Sequence, residues 1–145
     1  MNNPDTLDTT IERLIELLDL ESIEENIFRG ESQDIGSPQV FGGQVLGQAL
    51  TAASRTVKDR YVHSLHAYFL RRGDFEAPIV YEVDRARDGG SFSNRRVIAV
   101  QHGEQIFNMT ASFQRPEEGL EHQSEMPNVA PPEELEDLLE LIKPE

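Results

Sequence analysis

Gln39-Val40-Phe41-Gly42-Gly43-Gln44-Val45-Leu46-Gly47-Gln48-Ala49-Leu50-Thr51-Ala52-Ala53 is the stretch that decides the fold. It reads as a helix that opens on two glycines and ends near Val57. Val45, Ala49, Ala52 and Ala53 fall at i, i+4, i+7 and i+8, and Leu46 and Leu50 widen the apolar surface. A surface helix carries a charged face. This one has no charged residue from Gln39 to Ser54, so it is built to be enclosed. The long strands that follow it predict a sheet wrapped around a central helix.

Those strands are marked by alternation. In Val62–Arg71, Leu65, Ala67 and Phe69 share one face with His63, and Ser64, His66 and Tyr68 take the other. Ile79, Tyr81 and Val83 share a face in the next strand. Ser91–Gln101 is long, with Val97–Val100 apolar throughout. In Gln105–Gln114 the apolar face is Phe107, Met109, Ala111 and Phe113, and the polar face is Asn108, Thr110, Ser112 and Gln114. Such alternation predicts an antiparallel sheet with one face on a core. Arg72-Gly73-Asp74, Asp88-Gly89-Gly90 and His102-Gly103 are turn-like connections. The class is therefore α+β.

Upstream, Thr9 or Thr10 is placed to cap a helix running to about Leu20, with Glu12 completing a capping box on Thr9. Its apolar side is Ile11, Leu14, Ile15, Leu17 and Leu18. Ile27–Gln33 reads as a strand, and Ser37-Pro38 as a turn. Downstream, Pro116, Pro127, Pro131 and Pro132 break up an acidic stretch. Pro132–Ile142 suits a short helix whose stripe of Leu135, Leu138, Leu139 and Ile142 is expected to dock, on this body or on a neighbour. The expected organisation is a helical segment at 1–26, a body at 27–115 and an acidic, proline-rich arm at 116–145.

At 145 residues the chain suits one domain with a real core. Without cysteine there is no disulfide framework, thiolate nucleophile or cysteine-based metal site. No transmembrane run and no signal-peptide pattern is present, so the chain reads as cytoplasmic. The net charge of −14 is unevenly spread. Residues 1–30 hold eight acids and two bases, residues 116–145 ten acids and one base, and residues 31–115 nine acids and ten bases. The body is thus close to neutral and arginine-rich, which permits a phosphate-bearing ligand. No basic patch with interleaved aromatics points to nucleic acid.

The order of elements resembles the hot-dog fold, a curled sheet around one long helix. The motifs carry the resemblance further. They are Phe28-Arg29-Gly30-Glu31-Ser32, Gln39 to Val45, His63-Ser64-Leu65-His66-Ala67-Tyr68-Phe69-Leu70-Arg71, Arg87-Asp88-Gly89, Ser91-Phe92-Ser93, Arg95-Arg96-Val97 and Met109-Thr110-Ala111-Ser112-Phe113-Gln114. Together, in order from about Leu14 to Pro127, they look like the acyl-CoA thioesterase II (TesB) family. The resemblance implies hydrolysis of fatty acyl-CoA to free fatty acid and CoA, with no cofactor and no metal. It also implies two hot dogs per chain, of which this sequence resembles the first. The family's catalytic carboxylate, hydroxyl and glutamine sit mainly on the second, and none of them can be placed here. Hot dogs pair, so the expected partners are acyl-CoA and either a second copy or a separate second half. Arg72 departs from the proline usual in the family. A non-catalytic acyl-CoA-binding or assembly domain is the alternative.

Several residues are candidates for the site. Gly42 and Gly43 open a helix whose first N–H groups lie unpaired at the positive end of its dipole, suited to a thioester oxyanion. The other reading is a glycine pair that only packs the turn. Gln44 is placed to orient water, bond the carbonyl or cap the helix. His63 is the candidate catalytic residue, a general base at the pocket rim, or else a boundary histidine. His63 and His66, three apart on a strand, should point to opposite faces. Asp88, Ser91 and Ser93 gather a carboxylate and two hydroxyls around a glycine turn, though Asp88 is most simply a turn residue. No Gly-X-Ser-X-Gly elbow supports a serine hydrolase. Arg95 and Arg96 face opposite ways. One suits CoA phosphates, with Arg96 as the candidate, and the other suits an ion pair with Glu82 or Asp84. Gln114 is a pocket candidate by resemblance, and otherwise a solvated strand end.

Overall fold

A computed structural model describes residues 4–138. Helix α1 (Pro4–Leu18) leads into a hairpin of β1 (Glu21–Glu24) and β2 (Ile27–Gly30). Helix α2 (Gly42–Arg55) follows, then β3 (Tyr61–Phe69), β4 (Ile79–Asp88), β5 (Phe92–Gln101) and β6 (Glu104–Gln114). All six strands form one antiparallel sheet in the order β1-β2-β4-β5-β6-β3. Among the described residues no helix is long and apolar enough to cross a membrane.

The expected alternation orders the core. Phe107, Met109, Ala111 and Phe113 of β6 are buried, as are Ile79, Tyr81 and Val83 of β4. They face Val45, Ala49, Ala52 and Ala53 of α2, the positions read from the helical spacing. The three alanines have no exposed surface. Side chains this small let the helix axis approach the sheet closely without leaving voids. His102 and Gly103 close the β5–β6 hairpin with φ of 53° and 78°, the positive-φ pair of a type I′ turn.

Three expectations need correction. Helix α1 starts at Pro4, so Thr9 and Thr10 lie inside it and do not cap it. A proline in the first helical position has a preset φ, and the N–H it lacks would have no partner there. The β1 strand was not foreseen, because Glu21-Ser22-Ile23-Glu24 is exposed throughout and shows no buried alternation. Asn26, at φ 64°, turns the chain back into β2. Finally, β3 is an edge strand exposed along most of its length. A register shift between Val62 and Ser64 also reverses the phase at its start. His63 is thereby carried to the outer face, the one that holds His66. The two histidines share a face, and His63 does not lie with Leu65, Ala67 and Phe69.

Among the described residues of the arm, a 3-10 turn spans Pro132–Glu134, and Leu135 and Leu138 are exposed. Leu139 and Ile142 lie outside the described residues.

The middle of α2 is tied down by one buried amide. Gln48 donates from Nε2 to the carbonyls of Leu17 (2.7 Å) and Glu31 (2.9 Å), and its Oε1 accepts from the Tyr81 hydroxyl (2.6 Å). It thereby joins α1, the chain after β2, and β4 to the central helix. Burial pushes the Tyr81 phenol well above its ordinary range, so it stays a donor. Gly30 leaves the room: a Cβ there would stand 2.7 Å from Oε1 of Gln48. Gln48→Leu should cost about 2–4 kcal/mol, because it strands one hydroxyl and two carbonyls. Tyr81→Phe should cost about 1–2 kcal/mol. Urea midpoints at unchanged m-value check both figures.

Candidate active site

Five of the sequence-derived candidates (Gly42, Gly43, Gln44, Asp88 and Ser91) fall at the two ends of α2, about 20 Å apart for a helix of this length. Gly42, Gly43 and Gln44 form its N-terminal tip. Phe41 precedes it in extended conformation and supplies no side-chain cap, and the first turn holds no acid. The N–H groups of Gln44 and Val45 both turn back to the Phe41 carbonyl, at 3.0 and 3.4 Å. Those of Gly42 and Gly43 precede this ladder and remain as donors.

A cleft of about 480 Å³ opens beside the tip. Gly42, Val45, Phe69, Leu70, Ile106 and Phe107 form its apolar wall, and Gln39, Arg71 and Arg72 its polar side. Arg71 is engaged with Glu104 (2.9 Å) and the Gln105 carbonyl (2.7 Å). The closeness of Gly42 to Phe69 explains the glycine, since a Cβ would lie 3.0 Å from the ring. Gln44 does not cap the helix. Its Nε2 donates to the Glu31 carbonyl and its Oε1 accepts from the Gln33 N–H, each at 3.3 Å. The amide thus ties the chain after β2 to the helix tip.

The other end of α2 is organised by Arg95, whose side chain is 1% exposed. Its Nε donates to Thr56 Oγ1 (2.7 Å) and its Nη2 to the Thr56 carbonyl (3.1 Å), at the C-cap of α2. Its Nη1 donates to the carbonyls of Asn94 and Arg87, and Nη2 also to Asp88 (2.7 Å). A cation at a helix C-terminus is favoured by the dipole. Asp88 further accepts from Ser93 Oγ (2.6 Å), and Arg60 binds Ser93 Oγ and the carbonyls of Gly89 and Gly90. Asp88 is therefore more than a turn residue, being the counter-charge of a buried guanidinium. Ser91 contributes its carbonyl, which accepts from the Arg115 N–H (3.0 Å).

The remaining candidates stand elsewhere. His63 Nε2 pairs with Ser112 Oγ (2.9 Å), with its ring 5.7 Å from that of Phe92. Arg96, 59% exposed, lies 3.9 Å from Asp84, the pair expected of the other arginine, while Arg95 pairs with Asp88 instead. Gln114 donates to Glu117 (3.3 Å). The tip and these residues are not brought together within this chain. Arg71 was missed because a turn arginine carries no periodic signal. The inward role of Arg95 was legible in its parity with Val97 and Ala99.

Residues 29–114 match the family described as the acyl-CoA thioesterase N-terminal domain. The chain belongs to that family. It is 55% identical over 128 residues to acyl-CoA thioesterase 2 of Haemophilus influenzae, covering 88% of this chain and 45% of that protein. It is 50% identical over 128 residues to human acyl-coenzyme A thioesterase 8, covering 87% and 40%. Among solved structures it resembles the acyl-CoA thioesterase II TesB2 of Mycobacterium marinum, with TM-score 0.74, 55% identity, and coverage of 83% of this chain and 44% of that one. A hot-dog protein of Alicyclobacillus acidocaldarius, 24% identical with TM-score 0.69 over 83% and 47%, bears out the fold. The chain spans less than half the length of these relatives.

The Ser93 hydroxyl first, and then the Arg95 guanidinium, hold the Asp88 carboxyl below its ordinary 3.8. A depressed folded value stabilises the fold above the unfolded value and loses that stabilisation as pH falls through the folded one. Asp88→Asn should therefore melt several degrees lower than wild type at pH 7. The gap should close below about pH 4, as read by thermal scans across pH.

Proposed function

We propose that this chain serves acyl-CoA thioester hydrolysis as the N-terminal hot dog of a two-hot-dog enzyme. The observation that carries this reading is the uncapped, uncharged tip of α2 beside an arginine-edged cleft. A thioester carbonyl placed at Gly42 and Gly43 would meet preorganised N–H donors. Water adds to the carbonyl carbon, and the oxyanion accepts from those donors. Collapse then breaks the C–S bond and releases the acid and CoA thiol. The cleft lining includes no carboxylate, imidazole or hydroxyl side chain, so the base that activates water is assigned to the second half. His63, Arg96 and Gln114 on the sheet face, and Asp88 and Ser91 at the far end of α2, would reach a thioester only across an interface.

The lack of a base in the cleft equally favours a second reading, a half that binds acyl-CoA without turning it over. Pairing belongs to both readings. Tyr61, Tyr68 and Phe69 are exposed on the edge strand β3, and long apolar edges call for a partner. The expected partner is a second copy or a second half, in the cytoplasm.

Free-thiol titration with acyl-CoA should show turnover when this chain is assembled with a second-half polypeptide. Absence of turnover, alone and assembled, would leave the binding reading. Gly42→Pro should lower kcat about 10²–10³-fold relative to Gly42→Ala, because both press a Cβ toward Phe69 and only the proline deletes the donor. Phe41 already has φ −65° and ψ 125°, as a residue before proline requires, so circular dichroism should show the fold retained. Light scattering should find a dimer or a two-half complex, and a monomer at high concentration would count against pairing.

A further inference from the structure

The α2 tip has a second side. Away from the arginine-edged cleft, a groove of about 530 Å³ runs between α1 and α2. Its walls are Ile11, Leu14, Leu17, Leu18, Ile35 and Phe41, and its inner end is at Gly43 and Gln44. The size lies within the range of small-molecule sites. Gly47 forms the floor: a Cβ there would stand 3.1 Å from Leu18 Cδ2, so the glycine lets α1 settle against α2. The apolar residues are not sealed within the core. Ile11 is 48% exposed, Leu14 54% and Ile35 58%.

The tip is therefore flanked by two unlike surfaces. One is edged by Arg71 and Arg72, and the other is mostly apolar, with Thr10, Arg13 and Gln33 completing its lining. An acyl-CoA is divided in the same way about its thioester, with an anionic diphosphate head on one side and a hydrocarbon on the other. We propose that the groove between α1 and α2 holds the acyl chain, so that α1 sets chain-length preference. This rests on the thioester being placed at the α2 tip, and the occupant follows from the groove being continuous with that tip.

Calorimetric binding to the full chain separates this inference from the hydrolytic reading, because it needs no turnover. Decanoyl-CoA should bind tenfold or more tighter than acetyl-CoA, since burial of only two extra methylenes is worth roughly that factor. Leu14→Trp, which fills the groove, should bring decanoyl-CoA to the acetyl-CoA affinity and leave the latter unchanged. Ile35→Trp should do the same from the opposite wall. Ile15→Trp, on α1 but outside the groove lining, should bind as wild type does. Equal affinities in the wild-type chain would overturn the inference, as expected if another protein surface covers the groove. So would a preference that survives both groove-filling variants. A preference abolished by those variants, with no turnover in any assembly, would uphold the groove and sink hydrolysis.

Discussion

Enclosing α2 against the sheet is the constraint on which the rest depends. The face of α2 that packs on the sheet cannot leave its polar groups to water, and each buried one must find a partner. Two side chains answer that demand. Arg95 satisfies the Thr56 C-cap and brings Asp88 with it. Gln48 uses both amide atoms to bind α1, the chain after β2, and β4. The N-terminal tip is the one end with no side-chain cap. Its leading N–H groups stand beside a cleft, which makes the unfinished end of the helix the one on which the proposed function rests.

The Arg95 cluster shows why a polar motif need not be catalytic. Asp88, Ser93 and Arg95 resemble a site in sequence because they gather a carboxylate, a hydroxyl and a guanidinium. In the fold they bond to one another, to Arg60 and Thr56, and to backbone carbonyls. A buried charge with its partner removed is costly, which is reason enough for the motif. The α2 tip is the reverse case, a candidate site made of backbone with no reactive side chain to announce it.

On the proposed reading, the chain is one half of a divided machine. The chain has an uncapped helix tip, a cleft edged by arginine and a mostly apolar groove, and no basic or acidic catalytic side chain other than arginine lines the cleft. Its sheet ends on an exposed strand that would extend a neighbouring sheet. On that reading one half positions the substrate while the other activates water.

Much of the fold was legible because periodicity is local. The buried faces of β4 and β6 and the inward stripe of α2 follow from spacing alone, and the Gly42-Gly43 start follows from residue type. What escaped depended on partners distant in the chain. His63 changed faces because a bulge forms only when β3 pairs with β6. The exposed β1 strand exists only because β2 is there to pair with it. The sequence by itself determined that a chargeless helix would be buried by an antiparallel sheet, since hydrophobic burial follows composition and period. Only the tertiary structure decided which polar residues complete that burial and which end of the helix stays open, because hydrogen-bond satisfaction depends on groups that folding brings together.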